Sequence, residues 1–251
     1  MTKNVWITGA SSGIGKALTI KFANEGWQVA ASARRENLLQ ELNKDNPKIH
    51  SFPLDVTDGS LCKKVFNNIV EKFQIIDICV FCTGIHDPQS EKKISEEKIR
   101  EIMEVNFFGT LNCIMAVNNY FREKQSGHIS IVSSVAGYRG FPAASGYCAS
   151  KAALTSLAES LYFDFKRYNV RVSLISPGFI KTPMTDKNKF PMPMIKSPEY
   201  AAEKMFIGLT KQNVFEIHFP KTLTMIMKLL KIIPNWLFFL IVGRGIKKIK
   251  L

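Results

Sequence analysis

Seven short runs rich in apolar, β-branched and aromatic residues recur along the 251-residue chain: NVWITG from Asn4, WQVAASA from Trp27, IHSFPLDV from Ile49, IDICVFC from Ile76, GHISIVSS from Gly127, VRVSLISPG from Val170 and VFEIHFP from Val214. Between them the apolar positions fall at helical spacing. Strands alternating with helices predict an α/β fold, a doubly wound, mostly parallel seven-stranded sheet with helices on both faces. Several runs are apolar at consecutive positions, as parallel strands buried on both sides should be. No internal repeat or low-complexity linker divides the chain, so one domain is expected over 1–220, followed by a tail over 221–251. In such sheets ligands sit beyond the carboxyl ends of the strands, which directs attention to the residues just after each run.

With 46% hydrophobic residues the chain can bury a large core. Its net charge of +13 suggests an anionic partner, but the excess is concentrated at one end. Glu216 is the last acid, and Lys221, Lys228, Lys231, Arg244, Lys247, Lys248 and Lys250 follow it. These cations alternate with large apolar residues and no recognition element accompanies them, which argues against nucleic acid. Five cysteines without regular spacing fit a reducing compartment. The chain enters its first strand with no signal-peptide pattern, so a cytoplasmic location is expected. Cys79 and Cys82 form C-x-x-C, yet strand positions three apart face opposite sides, so both are expected to be buried small hydrophobes and no metal site is expected.

The first run ends in TGASSGIG, which places Gly9, Gly13 and Gly15 where strand turns into helix. Glycines there permit a tight turn and bring backbone N–H groups at a positive helix end close to a pyrophosphate. An ordinary glycine-rich turn has the same composition. In SGYCASKAAL, Tyr147 and Lys151 stand four apart at a helix start, so phenol and ammonium share one face with Cβ atoms about 5–6 Å apart. Either the pair serves one small site or the lysine snorkels beside a half-buried tyrosine.

Five landmarks in order, T-G-x-x-x-G-I-G, Asn106 in VNFFGT, Ser134 in SSVAG, Tyr147-x-x-x-Lys151 and PGFIKT from Pro177 to Thr182, resemble the short-chain dehydrogenase/reductase family to about Pro220. The resemblance implies a Rossmann-type fold, hydride transfer between a carbonyl and an alcohol, and assembly as a homodimer or homotetramer. It makes Tyr147 the proton donor or acceptor, Lys151 its electrostatic aid, Ser134 the hydroxyl that polarises the carbonyl, and Asn106 the anchor of a proton-relay water. Ser133 should face the other side of the strand, and Asn106 could instead bond backbone. The cofactor-binding positions implied are Gly9, Ser11, Ser12, Gly13, Ile14, Gly15, Arg34, Asp55, Val56, Gly84, Tyr147, Lys151, Pro177, Gly178, Ile180 and Thr182. After the second run an acid would select NAD(H), whereas this chain has Ala33, Arg34 and Arg35. A guanidinium can hold a 2′-phosphate bidentately, so NADP(H) is expected ahead of NAD(H), mainly through Arg34. Asp55 could contribute to the cap of the next helix instead. Where the family has N-N-A-G, this chain reads Phe81, Cys82, Thr83, Gly84, which puts the rigidity of that loop in question.

The segment PMTDKNKFPMPMIKSP corresponds to the family's lid and ends before a helix expected from Pro198. Met184, Phe190, Met192 and Met194 either line an adaptable apolar wall for an apolar or lipid-like substrate or only pack the lid onto the core. In the tail, the uninterrupted apolar run Trp236 to Val242 is well short of the roughly 20 residues that span a bilayer. The tail suits an interfacial helix on anionic lipid, and equally a helix folded over the substrate pocket or joining subunits. The expected activity is NADP(H)-dependent interconversion of a small-molecule carbonyl and alcohol. The alternative is a non-catalytic NADP-binding regulatory or membrane-interaction protein on the same fold.

Overall fold

The computed structural model describes residues 2–88, 93–188 and 190–249, with side chains described to Arg244. Seven strands, β1 (Asn4–Thr8), β2 (Gln28–Ser32), β3 (Ile49–Ser51), β4 (Ile78–Phe81), β5 (Gly127–Val132), β6 (Val170–Pro177) and β7 (Glu216–Phe219), form one sheet in the order β3-β2-β1-β4-β5-β6-β7. Every pairing between neighbouring strands is parallel, so the sheet is wholly parallel where mostly parallel was expected.

Alternation along each strand sorts the apolar side chains into two layers. Val5 and Ile7 of β1 point to one face, where they meet Leu18 and Phe22 of α1 (Gly13–Asn24), Leu39 of α2 (Glu36–Asp45) and Met205 of α7 (Pro198–Lys211). Trp6 points to the other face, against Phe66 of α3 (Gly59–Phe73) and the layer shared by α5 (Gly109–Lys124) and α6 (Ser145–Lys166). Trp6 is fully buried, and its indole N–H is satisfied by Ser32 Oγ at 2.9 Å, so the burial strands no donor. Cys79 lies in the second layer and Cys82 packs against the first, which confirms opposite faces. No group of three or more His, Cys, Asp or Glu able to hold a metal ion exists among the described residues.

The strand order reverses between β1 and β4, which opens a crevice at their carboxyl ends. Helix α4 (Glu96–Met103) runs into α5 through a single π-helical turn, Glu104–Phe108. After β7, α8 (Lys221–Ile232) lays Leu223 and Met227 against Val135 and Tyr138, and α9 (Asn235–Ile249) follows. Among the described residues no helix is long and apolar enough to cross a membrane.

Candidate active site

The crevice is a cavity of about 440 Å³ lined by residues from the ends of the central strands. Its floor is the turn between β1 and α1. Gly9 has φ +70°, a conformation side chains rarely adopt, and a Cβ on Gly15 would stand 2.2 Å from the Gly9 carbonyl oxygen. The turn therefore closes only with glycine at both positions. Helix α1 begins with Ser12 extended at φ −160°, no side chain caps it, and no acid lies in its first turn. Its positive end thus faces the cavity without a counter-charge from its own helix.

Ser11 and Ser12 are held from the neighbouring loop after β2. The Arg35 guanidinium donates to Ser11 Oγ at 2.9 Å and to Ser12 Oγ at 2.8 Å. Arg34 also lines the cavity and is exposed, so the residue foreseen for phosphate is at the rim while its neighbour braces the glycine turn. Asp55 Oδ1 accepts from the Thr57 N–H and hydroxyl, which fixes a local turn. The side-chain cap of α3 is Asp58, not Asp55.

Ser134 sits two residues beyond the end of β5, not at its last position, and begins a 3₁₀ turn, Val135–Gly137. Its Oγ accepts from the Ala136 N–H at 3.1 Å, which leaves the hydroxyl proton to donate elsewhere. Ser133 also borders the cavity, but its hydroxyl is engaged by the Lys151 carbonyl and Thr155 Oγ1. One face of α6 carries Tyr147 and Lys151. Lys151 is 4% exposed, its Nζ donates to the Val132 carbonyl at 2.9 Å, and it stands 5.7 Å from the centre of the Tyr147 ring. Burial lowers the Lys151 pKa to about 8. The His86 ring stacks on the Tyr147 ring, with centroids 4.3 Å apart and planes at 28°.

Of the predicted site residues, all except Asn106 line this cavity. Asn106 is fully buried behind it, in the π-helical turn. Its Oδ1 accepts from the Ile85 N–H at 2.7 Å, and its Nδ2 donates to the Ile85 carbonyl and to Ser150 Oγ, both at 3.0 Å. This side chain ties the loop after β4 to α6. Together with the bond from the Cys82 N–H to Thr8 Oγ1 at 3.1 Å, it anchors the loop that lacks the family's asparagines.

Arg35, named beside Arg34 but given no role of its own from sequence, and Ile85, Val105 and His86, not foreseen at all, also surround the site. A second arginine beside Arg34 was the one available signal; the others belong to no motif. Of the methionines expected in the lid, only Met184 lines the cavity. Phe190 meets, at 6.1 Å, the ring of Phe179, which itself packs on the cluster of Val135, Tyr138, Leu223 and Met227, and Met194 is exposed, so Phe190 packs the lid onto the core while Met194 faces outward.

The family description "short chain dehydrogenase" matches residues 3–211. An uncharacterised oxidoreductase of Myxococcus xanthus is 34% identical over 236 residues, 92% of this chain and 93% of that protein. The 3-oxoacyl-[acyl-carrier-protein] reductase FabG of Thermotoga maritima is 37% identical over 185 residues, 72% of this chain and 75% of the relative. A short-chain dehydrogenase structure from Streptomyces avermitilis superposes with a TM-score of 0.82 at 24% identity, covering 98% of this chain and 99% of the other.

Proposed function

Because this chain belongs to the short-chain dehydrogenase family and is therefore an oxidoreductase acting on CH–OH groups, we propose that it reduces a ketone or aldehyde to an alcohol with NADPH. The observation that carries this reading is the meeting of the glycine turn, Ser134, Tyr147 and Lys151 in one cavity.

The residues present fit a nicotinamide dinucleotide. The glycine turn leaves room at an uncapped helix start for a pyrophosphate, and Arg34 at the cavity rim would hold a ribose 2′-phosphate. When bound, the reduced dinucleotide supplies hydride to the carbonyl carbon. Tyr147 donates its phenolic proton to the carbonyl oxygen, and the Ser134 hydroxyl donates a hydrogen bond to the same oxygen as negative charge develops there. The Lys151 ammonium, held in place by the Val132 carbonyl, stabilises the phenolate that remains on Tyr147. Asn106 fixes the Ile85 backbone and α6, and so the spacing of the site. Ile85, Val105 and Met184 give the cavity an apolar side that suits an apolar or lipid-like carbonyl. The reading includes one catalytic unit over 1–220 in the cytoplasm, assembled as a homodimer or homotetramer, with the tail at an anionic membrane surface.

Tyr147→Phe is expected to keep NADPH affinity and lower kcat by about 10²–10⁴-fold, since only the transferable proton is lost. A panel of lipid, steroid, sugar and aromatic carbonyls, followed by NADPH oxidation, measures it. Retained turnover in the variant overturns the role of Tyr147; NADPH binding with no turnover of any carbonyl by the unaltered protein favours a regulator.

A further inference from the structure

Helix α8 has two faces of opposite use. Leu223 and Met227 point inward, onto Val135 and Tyr138 just after Ser134, while Thr224 is fully buried. Met225, Ile226, Leu229 and Ile232 form one outward stripe at helical spacing, with Leu229 60% and Ile232 79% exposed. Beyond Pro234, Trp236 and Phe239 of α9 extend the apolar surface at 68% and 67% exposure, whereas Phe238 turns inward.

The two helices are clamped to the body at their junction. Arg139 donates to the carbonyls of Leu230 at 3.1 Å and Ile233 at 2.9 Å and to Asn235 Oδ1 at 2.8 Å, and its guanidinium lies 4.4 Å from the Phe238 ring centre. The outward surface is therefore preset by the fold. Charge selects what can cover it. No acid follows Glu216; Lys228 is turned inward to Glu216 at 2.6 Å, while Lys231, over the Tyr138 ring at 5.9 Å, and Lys221, 3.0 Å from His218 Nε2, remain exposed beside the stripe on α8, as Arg244 does on α9. A second copy meeting this face by two-fold symmetry would bring like charges together. An anionic lipid surface satisfies both the apolar stripe and its cations, and neither helix needs to cross it.

We infer that the outer face of the α8–α9 hairpin docks as one rigid unit on an anionic bilayer, with α8 in contact as well as α9. This rests on the placement of the tail at a membrane proposed above, and adds the face that makes contact. Since α8 packs on the turn after Ser134 and touches Gly178 at the cavity wall, docking holds the carbonyl site beside the lipid surface.

The test uses the full chain and vesicles of phosphatidylcholine with or without phosphatidylglycerol. Co-sedimentation is expected only with the phosphatidylglycerol vesicles, weakened by raised salt, and reduced at least about tenfold in a Leu229→Glu, Ile232→Glu double variant. NADPH binding and circular dichroism report that the variant is folded, and reduction of a water-soluble ketone should be unchanged. Absence of vesicle binding by the unaltered protein overturns the inference, as does undiminished binding by the folded double variant, which would leave α9 alone as the anchor. Indifference to vesicles together with a fall in solution mass in the variant would identify a second copy as the occupant. Vesicle binding without turnover of any carbonyl would overturn the enzymatic reading and leave the docking face standing.

Discussion

Arg34 and Arg35 leave the end of β2 side by side and serve different partners. Arg35 reaches Ser11 and Ser12, so it shapes the glycine turn that any dinucleotide would use. Arg34 stays exposed at the cavity rim. Arg34→Ala is expected to weaken NADPH by about 1.5–3 kcal/mol, the cost of a charge-assisted contact, with NADH little changed. Arg35→Ala should weaken both cofactors together. Fluorescence titration of each variant with each cofactor reads the difference, and equal loss of both in Arg34→Ala would remove it from the phosphate site. Asn106 teaches the same lesson about single side chains. The sequence offered a relay anchor or a backbone partner, and its amide is engaged by Ile85 and Ser150. A role at the reacting atoms would therefore act through what this residue positions.

At the scale of elements, the strands are legible because their apolar runs meet burial on both faces, and the helices because apolar positions between those runs fall at helical spacing. The π-helical turn at Asn106 and the 3₁₀ turn after Ser134 left no such period, since each is a local adjustment imposed by packing. Strand β5 also contains His128, 3% exposed, bonded to Ser173 Oγ at 2.8 Å. Burial, with the Arg171 charge second, lowers its pKa from 6.5 to about 3. The fold keeps this imidazole neutral, whereas the unfolded chain protonates it below its ordinary value. Stability is thus fully present above pH 6.5 and falls as pH drops toward 3, by about 1.4 kcal/mol per unit from this group. Urea unfolding at pH 7 and pH 5 should differ by about 2 kcal/mol more in the native chain than in His128→Gln. Equal acid sensitivity in the two would place the titration elsewhere.

For the whole molecule, the tail is joined to the site by packing and by charge. Lys228 pairs with Glu216, which also accepts from Ser176 Oγ at 2.7 Å and from the Tyr138 hydroxyl, so β6, β7, α8 and the turn after Ser134 meet at one carboxylate. These partners lower the Glu216 pKa despite its burial, with Lys228 foremost. Leu223, 6% exposed, lies against Gly178 and the same cluster. Leu223→Ala should cost about 2–4 kcal/mol in denaturant unfolding, because the cavity it leaves borders elements that cannot collapse into it. A loss below about 0.5 kcal/mol, the range of surface substitutions, would mean that α8 is only loosely applied. The sequence by itself determined the parallel α/β class, the helix from Pro198, the family and those cavity-lining residues that sit in its motifs, since period, glycine placement and motif spacing are properties of local stretches of chain. Tertiary structure alone decided that Arg35 braces the glycine turn, that Asn106 anchors the loop after β4, and that α8 turns Lys228 inward and an apolar stripe outward. Each of these is a contact between residues tens of positions apart, whose partners exist only once the sheet has brought the strand ends together.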